Sequence, residues 1–356
     1  MIAMMGVSPL QAYGYLLRGA VGSQNSVAET AVKAIPLIFT GLSYAFAYRC
    51  GLINIGAEGQ LYMGGLGAAV AGIYLNGLPA VIHIPVALAA GFLAGALWGY
   101  VPGLLKARLG VSEVINTIMM TYIAQFFVGY MVTGPIKEPG YFPQTALIRD
   151  SAVLPKILPP TRLHLGLILG LLAVAVFWLI LWRTPYGFAV RAVGQNTAAA
   201  EAAGIVPGRT MASALAIAGG FAGLAGSCEI LGIQLRLLQG FSPGYGWDGI
   251  AVGLLGRATP LGVLAAALFF GGLRAGGNMM QRGVGVPVAV IYVIQAIIII
   301  VVVASMYLKP GQSGRWRWLR RRVPVRSAAG APRSAETVPA RDAVSALDTV
   351  GGCESA

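Results

Sequence analysis

The sequence predicts an all-α fold: a polytopic bundle of about eight or nine transmembrane segments, with discontinuous or half helices among them. Three observations carry this expectation. Only 10% of the 356 residues are charged and 57% are hydrophobic, with a mean hydropathy of +0.74, whereas soluble domains carry about 25% charged residues. Apolar stretches recur along the chain near the ~20 residues a helix needs to span a bilayer. Between two of them, the run Arg49 to Gln60 brings an amide, a carboxylate and several glycines into otherwise apolar chain. Polar groups are costly in lipid, and a broken helix there needs the shelter of protein or a cavity.

The elements follow in order. Met1 to Val7 is too short for a signal peptide and reads as the end of a first helix whose beginning is missing. Within 1–30, residues 8–30 are polar enough to lie outside the bilayer, with a short interfacial helix from Pro9 to Arg18. The membrane unit, 31–308, has apolar segments at 32–48, 56–76, 82–105, 111–133, 163–182 and 209–232. Segment 246–256 is too short to cross and reads as a half-helix turning at Arg257 to Pro260. Segments 260–280 and 286–308 complete the set. Two connections are long: 134–162, rich in proline and aromatics, and 183–208, polar and alanine-rich. Residues 309–356 have the composition of a basic, disordered tail, with Trp316 and Trp318 before Arg320, Arg321 and Arg322 suited to an interfacial anchor.

The net charge is +13, and nine of the 25 basic residues fall in that tail. A basic cluster after a final span marks the cytoplasmic side rather than a nucleic-acid site. The C-terminus, 257–260, 183–208, 106–110 and Arg49 are therefore expected inside, and 134–162 outside. Arg274 falls with the outer basic residues on this count. Cys50, Cys228 and Cys353 have neither disulfide nor metal spacing, and His83 and His164 stand alone, so no metal site is expected.

Polar residues within apolar segments are the candidate pathway groups: Asn54, Glu58, Gln60, Glu113, Asn116, Asp248, Asn278 and Gln281. Where the backbone is helical, Asn54–Glu58, Glu113–Asn116 and Asn278–Gln281 share a face. They fit a path for a hydroxylated solute, or interhelical hydrogen bonds worth about 0.6 kcal/mol each. No nucleophile motif or proton relay stands out, and no lysine sits in a G-K-[ST] context. The chain is thus expected to be no enzyme and to bind no cofactor itself; if ATP drives it, the ATPase is another chain. The segment with Arg191, Gly194, Asn196, Ala199, Glu201 and Gly204 reads as a short helix capped by Asn196 or Thr197 and ended by Gly204, the shape of a lever between spans.

Four colinear segments carry a resemblance. Gly51 to Gln60 resembles the "GLFNIGAEGQ" signature of bacterial ABC-transporter permeases for nucleosides and simple sugars. Glu113 to Met119, Arg191 to Ile205 and Gly244 to Gly256 resemble three further motifs of the same branch. The resemblance covers roughly 8–308 and extends to the broader family of ribose and branched-chain amino-acid permeases. It implies an inner-membrane, multi-pass subunit that works with a second permease (a paralogue), an ABC ATPase subunit and an extracytoplasmic substrate-binding protein. The 183–208 loop would then be the ATPase-coupling element. The alternatives are an ion-coupled secondary transporter acting alone, a permease for another solute such as branched-chain amino acids, and a membrane-embedded enzyme.

Overall fold

The computed structural model describes residues 8–287 and 289–307, and among these it contains twelve α-helices and no strand. They are α1 (Pro9–Val21), α2 (Gln24–Arg49), α3 (Ala57–Tyr74), α4 (Ala80–Leu109), α5 (Glu113–Thr133) and α6 (Gly166–Arg183). After these come α7 (Pro185–Gln195), α8 (Thr197–Ala202), α9 (Pro207–Glu229), α10 (Tyr245–Leu255), α11 (Pro260–Val284) and α12 (Ala289–Tyr307). The expected basic tail and Met1–Val7 lie outside the described residues.

Six helices are long and apolar enough to cross a membrane among the described residues: α2, α4, α5, α6, α9 with its extension to Gln234, and α11. Their burial divides them into two roles. The α2 and α9 windows are 83% and 78% buried, whereas α4 and α5 are each 22% buried. The first pair forms the centre; the second turns Leu93, Leu97, Phe126 and Tyr130 outward, where lipid would solvate them.

The most extensive interface joins α4 to α9, and glycine makes it possible. Gly91, Gly95, Gly99 and Gly103 recur every fourth residue, so they line one face of α4. A β-carbon on Gly95 would lie 2.4 Å from the Gly219 carbonyl oxygen and 2.7 Å from the Gly223 α-carbon. The helices therefore touch backbone to backbone, the packing that replaces hydrophobic drive where the solvent is itself apolar.

Local chemistry sets the ends. Ser23 Oγ accepts the Ser26 N–H at 3.1 Å and starts α2 eight residues before its apolar stretch, so the helix runs well past the hydropathy signal. Thr259 Oγ1 caps α11 ahead of Pro260, and Gly110 closes α4 at φ 67°. Helix α1 is more than an isolated interfacial helix. It packs along α11, with Leu16 buried and its carbonyl against Gly276.

The contacts sort the connections onto two ends. Arg49 Nε donates to the Ala258 carbonyl at 2.9 Å, Gly51 packs on Gly194, and Gly208 on Ala107, so these segments share one end. At the other, residues 134–165 fold back over the helix ends: Arg149 N–H donates to the Gly72 carbonyl and Leu154 N–H to that of Leu231.

His164 seals the second end. Its ring is 1% exposed, packs against Gly232, and accepts the Gly166 N–H on Nδ1 at 3.1 Å. Burial pushes the imidazole down to about 4, so the folded protein holds it neutral just ahead of α6. The unfolded chain binds a proton near pH 6.5 that the folded chain refuses. Stability is then complete above about pH 6.5 and falls as pH drops towards 4, by an amount on the order of 3 kcal/mol. Unfolding of the purified protein in detergent at pH 7 and pH 4.5 should show this loss, and His164→Gln should remove its share of the pH dependence.

Candidate functional site

Two helices begin inside the bundle, and their N-termini meet. Helix α10 has eleven residues, about 16 Å at 1.5 Å per residue, roughly half the hydrocarbon thickness. It is the half-helix read from the sequence. Gly246, Gly249 and Gly253 put a small-residue stripe against Glu58 of α3 and against Thr40 and Tyr44 of α2. A β-carbon on Gly246 would lie 2.2 Å from the Glu58 nitrogen, so the two backbones touch.

Glu58 completes the junction. It is 1% exposed, sits in the first turn of α3, and its Oε2 accepts the Gly246 N–H at 2.6 Å. A helix start leaves N–H groups without partners and a partial positive charge. One carboxylate therefore serves two helix starts at once.

Asn54 does not share a helical face with Glu58, because residues 52–55 lie outside any helix. The expected pairing is thus replaced by another. Asn54 Nδ2 donates to Gln60 Oε1 at 2.9 Å and to Ser43 Oγ at 3.1 Å; its Oδ1 accepts from Gln60 Nε2 at 3.2 Å and from the Gly56 N–H at 3.1 Å. Asn54 and Gln60 spend their amides on each other, fully buried, and pin the re-entrant loop to α2.

Asp248, in the first turn of α10, pairs with Arg274 of α11: Nη2 to Oδ2 is 2.7 Å and Nε to Oδ2 is 3.0 Å. Arg274 is 8% exposed and lies over the Tyr245 ring at 4.7 Å. Arg274, expected among the outer basic residues, is buried within the bundle, where a carboxylate 26 residues away in sequence lies within hydrogen-bond distance.

The remaining candidates lie elsewhere. Glu113 holds Lys106 at 2.9 Å across the short turn between α4 and α5. Asn116, one turn on, has a buried Nδ2 with no partner among the described residues. Asn278 and Gln281 are exposed and line a polar cleft of about 630 Å³ with Asn25, Glu29, Arg162 and Arg282, at the end capped by 134–165. Glu29 and Arg162 form an ion pair there at 2.6 Å. The eight candidates are therefore distributed from one end of the bundle to the other and do not converge on one reaction centre.

At the opposite end, Asn196 Oδ1 caps α8 by accepting the Ala199 N–H at 3.1 Å, and Gly204 follows the helix at φ 83°. Ala199 and Glu201 are exposed. The sequence reading missed α7, although Thr184 as cap and Pro185 at the first position announce it. Gly194 is the contact that matters most. A β-carbon there would lie 2.2 Å from the Arg49 carbonyl oxygen, so α7 presses on the chain that leads into the Asn54 loop. Also missed were Ser43 and Thr40, a hydroxyl partner of Asn54 and one shared between the Pro36 and Tyr245 carbonyls. Only their position one helix away from the glycine-rich run reveals them.

Replacing Glu58 tests the junction. Glu58→Ala leaves the Gly246 N–H buried and unpaired and should cost about 1–3 kcal/mol of stability. Glu58→Gln keeps an acceptor and should cost less than about 1 kcal/mol. Unfolding in detergent measures both; equal losses would show that the negative charge, not the acceptor, is what the junction needs.

The comparisons agree with this architecture. Residues 26–303 match the family described as branched-chain amino acid transport system / permease component. The guanosine ABC transporter permease protein NupP of Bacillus subtilis is 42% identical over 85% of this chain and 88% of its own length. The glucose ABC transporter permease protein TsgB13 of Haloferax volcanii is 36% identical over 86% of this chain and 84% of its own. A second guanosine permease protein of Bacillus subtilis, NupQ, is 28% identical over 69% of this chain and 79% of its own. No solved structure matches. With the family covering most of the described bundle, this chain belongs to the branched-chain amino acid transport system / permease component family and is a multi-pass membrane permease subunit rather than an enzyme.

Proposed function

We propose that this permease is the membrane subunit of an ATP-binding cassette importer that carries a nucleoside or simple sugar across a bacterial cytoplasmic membrane. Separate ATPase subunits would drive it, a second and different permease chain would complete the pathway, and a binding protein outside the cell would deliver the solute. In this reading the 183–208 end faces the cytoplasm and 134–165 faces out.

The observation that carries the proposal is the seating of α7 and α8. These short helices expose one side to a partner and press the other, through Gly194, on the backbone of Arg49 and Gly51. A push on α8 would reach the Asn54 loop and then the Glu58 junction within ten residues. The relatives supply the solute class: a guanosine and a glucose permease share sugar hydroxyls as their common chemistry. Two guanosine permease proteins from one Bacillus subtilis strain, both similar to this chain, support pairing with a paralogue. Asn116, the Asp248–Arg274 pair, Asn278 and Gln281 would contact the passing solute, while Asn54, Glu58 and Gln60 hold the helices that move.

A strain lacking the gene should lose uptake of one labelled nucleoside or sugar, and unlabelled compounds of the same class should compete in the parent strain. Unchanged uptake across a panel of purine nucleosides, pyrimidine nucleosides and sugars would overturn the solute class. In the reconstituted complex, Arg191→Glu with Ala199→Trp should lower solute imported per ATP hydrolysed at least tenfold, with binding-protein affinity unchanged. Normal transport by that variant would place the coupling elsewhere.

A further inference from the structure

The cytoplasmic end of α6 and the start of α11 flank an open groove of about 710 Å³ that the transport reading does not use. Leu171, Val174, Trp178 and Trp182 line it from α6, and Pro260 and Leu264 from α11. The wall is carbon almost throughout. Thr259 brings the hydroxyl, and that group is spent: it donates to the Gly256 carbonyl at 2.8 Å and accepts the Gly262 N–H at 3.3 Å. A polar solute would find nothing to bind.

The rim is the opposite in character. The Arg183 guanidinium stacks on Trp178 at 5.0 Å, and those of Arg49 and Arg191 lie 5.3 and 6.0 Å from the Trp182 ring. Arg257 is exposed in the turn that leads into α11. None of these four arginines forms an ion pair with a carboxylate among the described residues. The acidic residues placed at this end are Glu113, which Lys106 already holds, and Glu201.

We infer that this slot binds an anionic phospholipid, acyl chains between α6 and α11 and headgroup phosphate among Arg183, Arg257 and the Trp182 arginines. An apolar cleft at the membrane interface, edged by tryptophan and by uncompensated arginine, matches a lipid's two halves in order. A second copy of the chain fits the slot poorly, because it would bring the same arginines to an already cationic rim. The site also touches the coupling elements. Arg49 holds the 256–259 turn through the Ala258 carbonyl, and its own carbonyl meets Gly194. Only the assignment to the inner leaflet rests on the proposed function; the slot itself does not.

Brominated acyl chains quench tryptophan on contact, so the wild-type protein reports its own lipid. In nanodiscs, the fluorescence lost on Trp178→Phe isolates the slot from the other tryptophans. Brominated phosphatidylglycerol should quench that component at a mole fraction at least threefold below that required of brominated phosphatidylcholine. Arg183→Gln with Arg257→Gln should erase the preference, while Leu264→Phe, which fills the slot without adding a tryptophan, should reduce quenching by both lipids. Equal quenching by the two lipids in the wild type would overturn the inference. So would protection of Trp178 from both, which would mean that protein covers the slot. The measurement needs no transport, and its failure leaves the importer reading untouched.

Discussion

The contact between Glu58 and the Gly246 N–H is the constraint from which the rest of the bundle is built. Two helices start within the protein rather than at its surface, and each start would leave unpaired N–H groups where no water reaches. Placing a carboxylate in the first turn of one helix and on the second position of the other answers both needs. That solution demands that the helices touch, which is why position 246 has no side chain. It also demands a stiff approach to Glu58, which the Asn54–Gln60 amide pair and Ser43 provide.

The same economy of side chains runs through the larger interfaces. In α4 and α9, glycines every fourth residue allow backbones to meet, leaving the opposite face of α4 free to carry leucines outward. In α7, one glycine at 194 converts a connector into a contact on the Arg49 carbonyl. The path from the exposed α8 to the Glu58 junction thus passes through backbone, with no long side chain to absorb a displacement. On the proposed function, this is how movement at an ATPase interface would reach the helices that open and close.

Much of this was legible in the sequence. Hydropathy located every long helix, the shortness of 246–256 announced a half-helix, and Asn196 and Gly204 marked the ends of α8. The Arg49–Gln60 run was identified as the place where the membrane rules break. What stayed hidden depended on distance in the chain. Nothing near Asp248 indicates Arg274, and nothing near Asn54 says that its backbone is not helical, so that Gln60 rather than Glu58 becomes its partner. The Gly91, Gly95, Gly99, Gly103 repeat was visible but uninformative until α9 supplied the opposing glycines. Pathway residues were the least legible, because a buried amide looks alike whether it binds a solute or another amide.

The central claim is that α8 and the Glu58 junction move as one unit. Amide exchange across 51–58, 197–204 and 244–250, followed in the assembled transporter before and after ATP binding, tests it most directly. The account predicts that protection changes in all three segments together. A change confined to 197–204, with 51–58 and 244–250 unaffected, would contradict it.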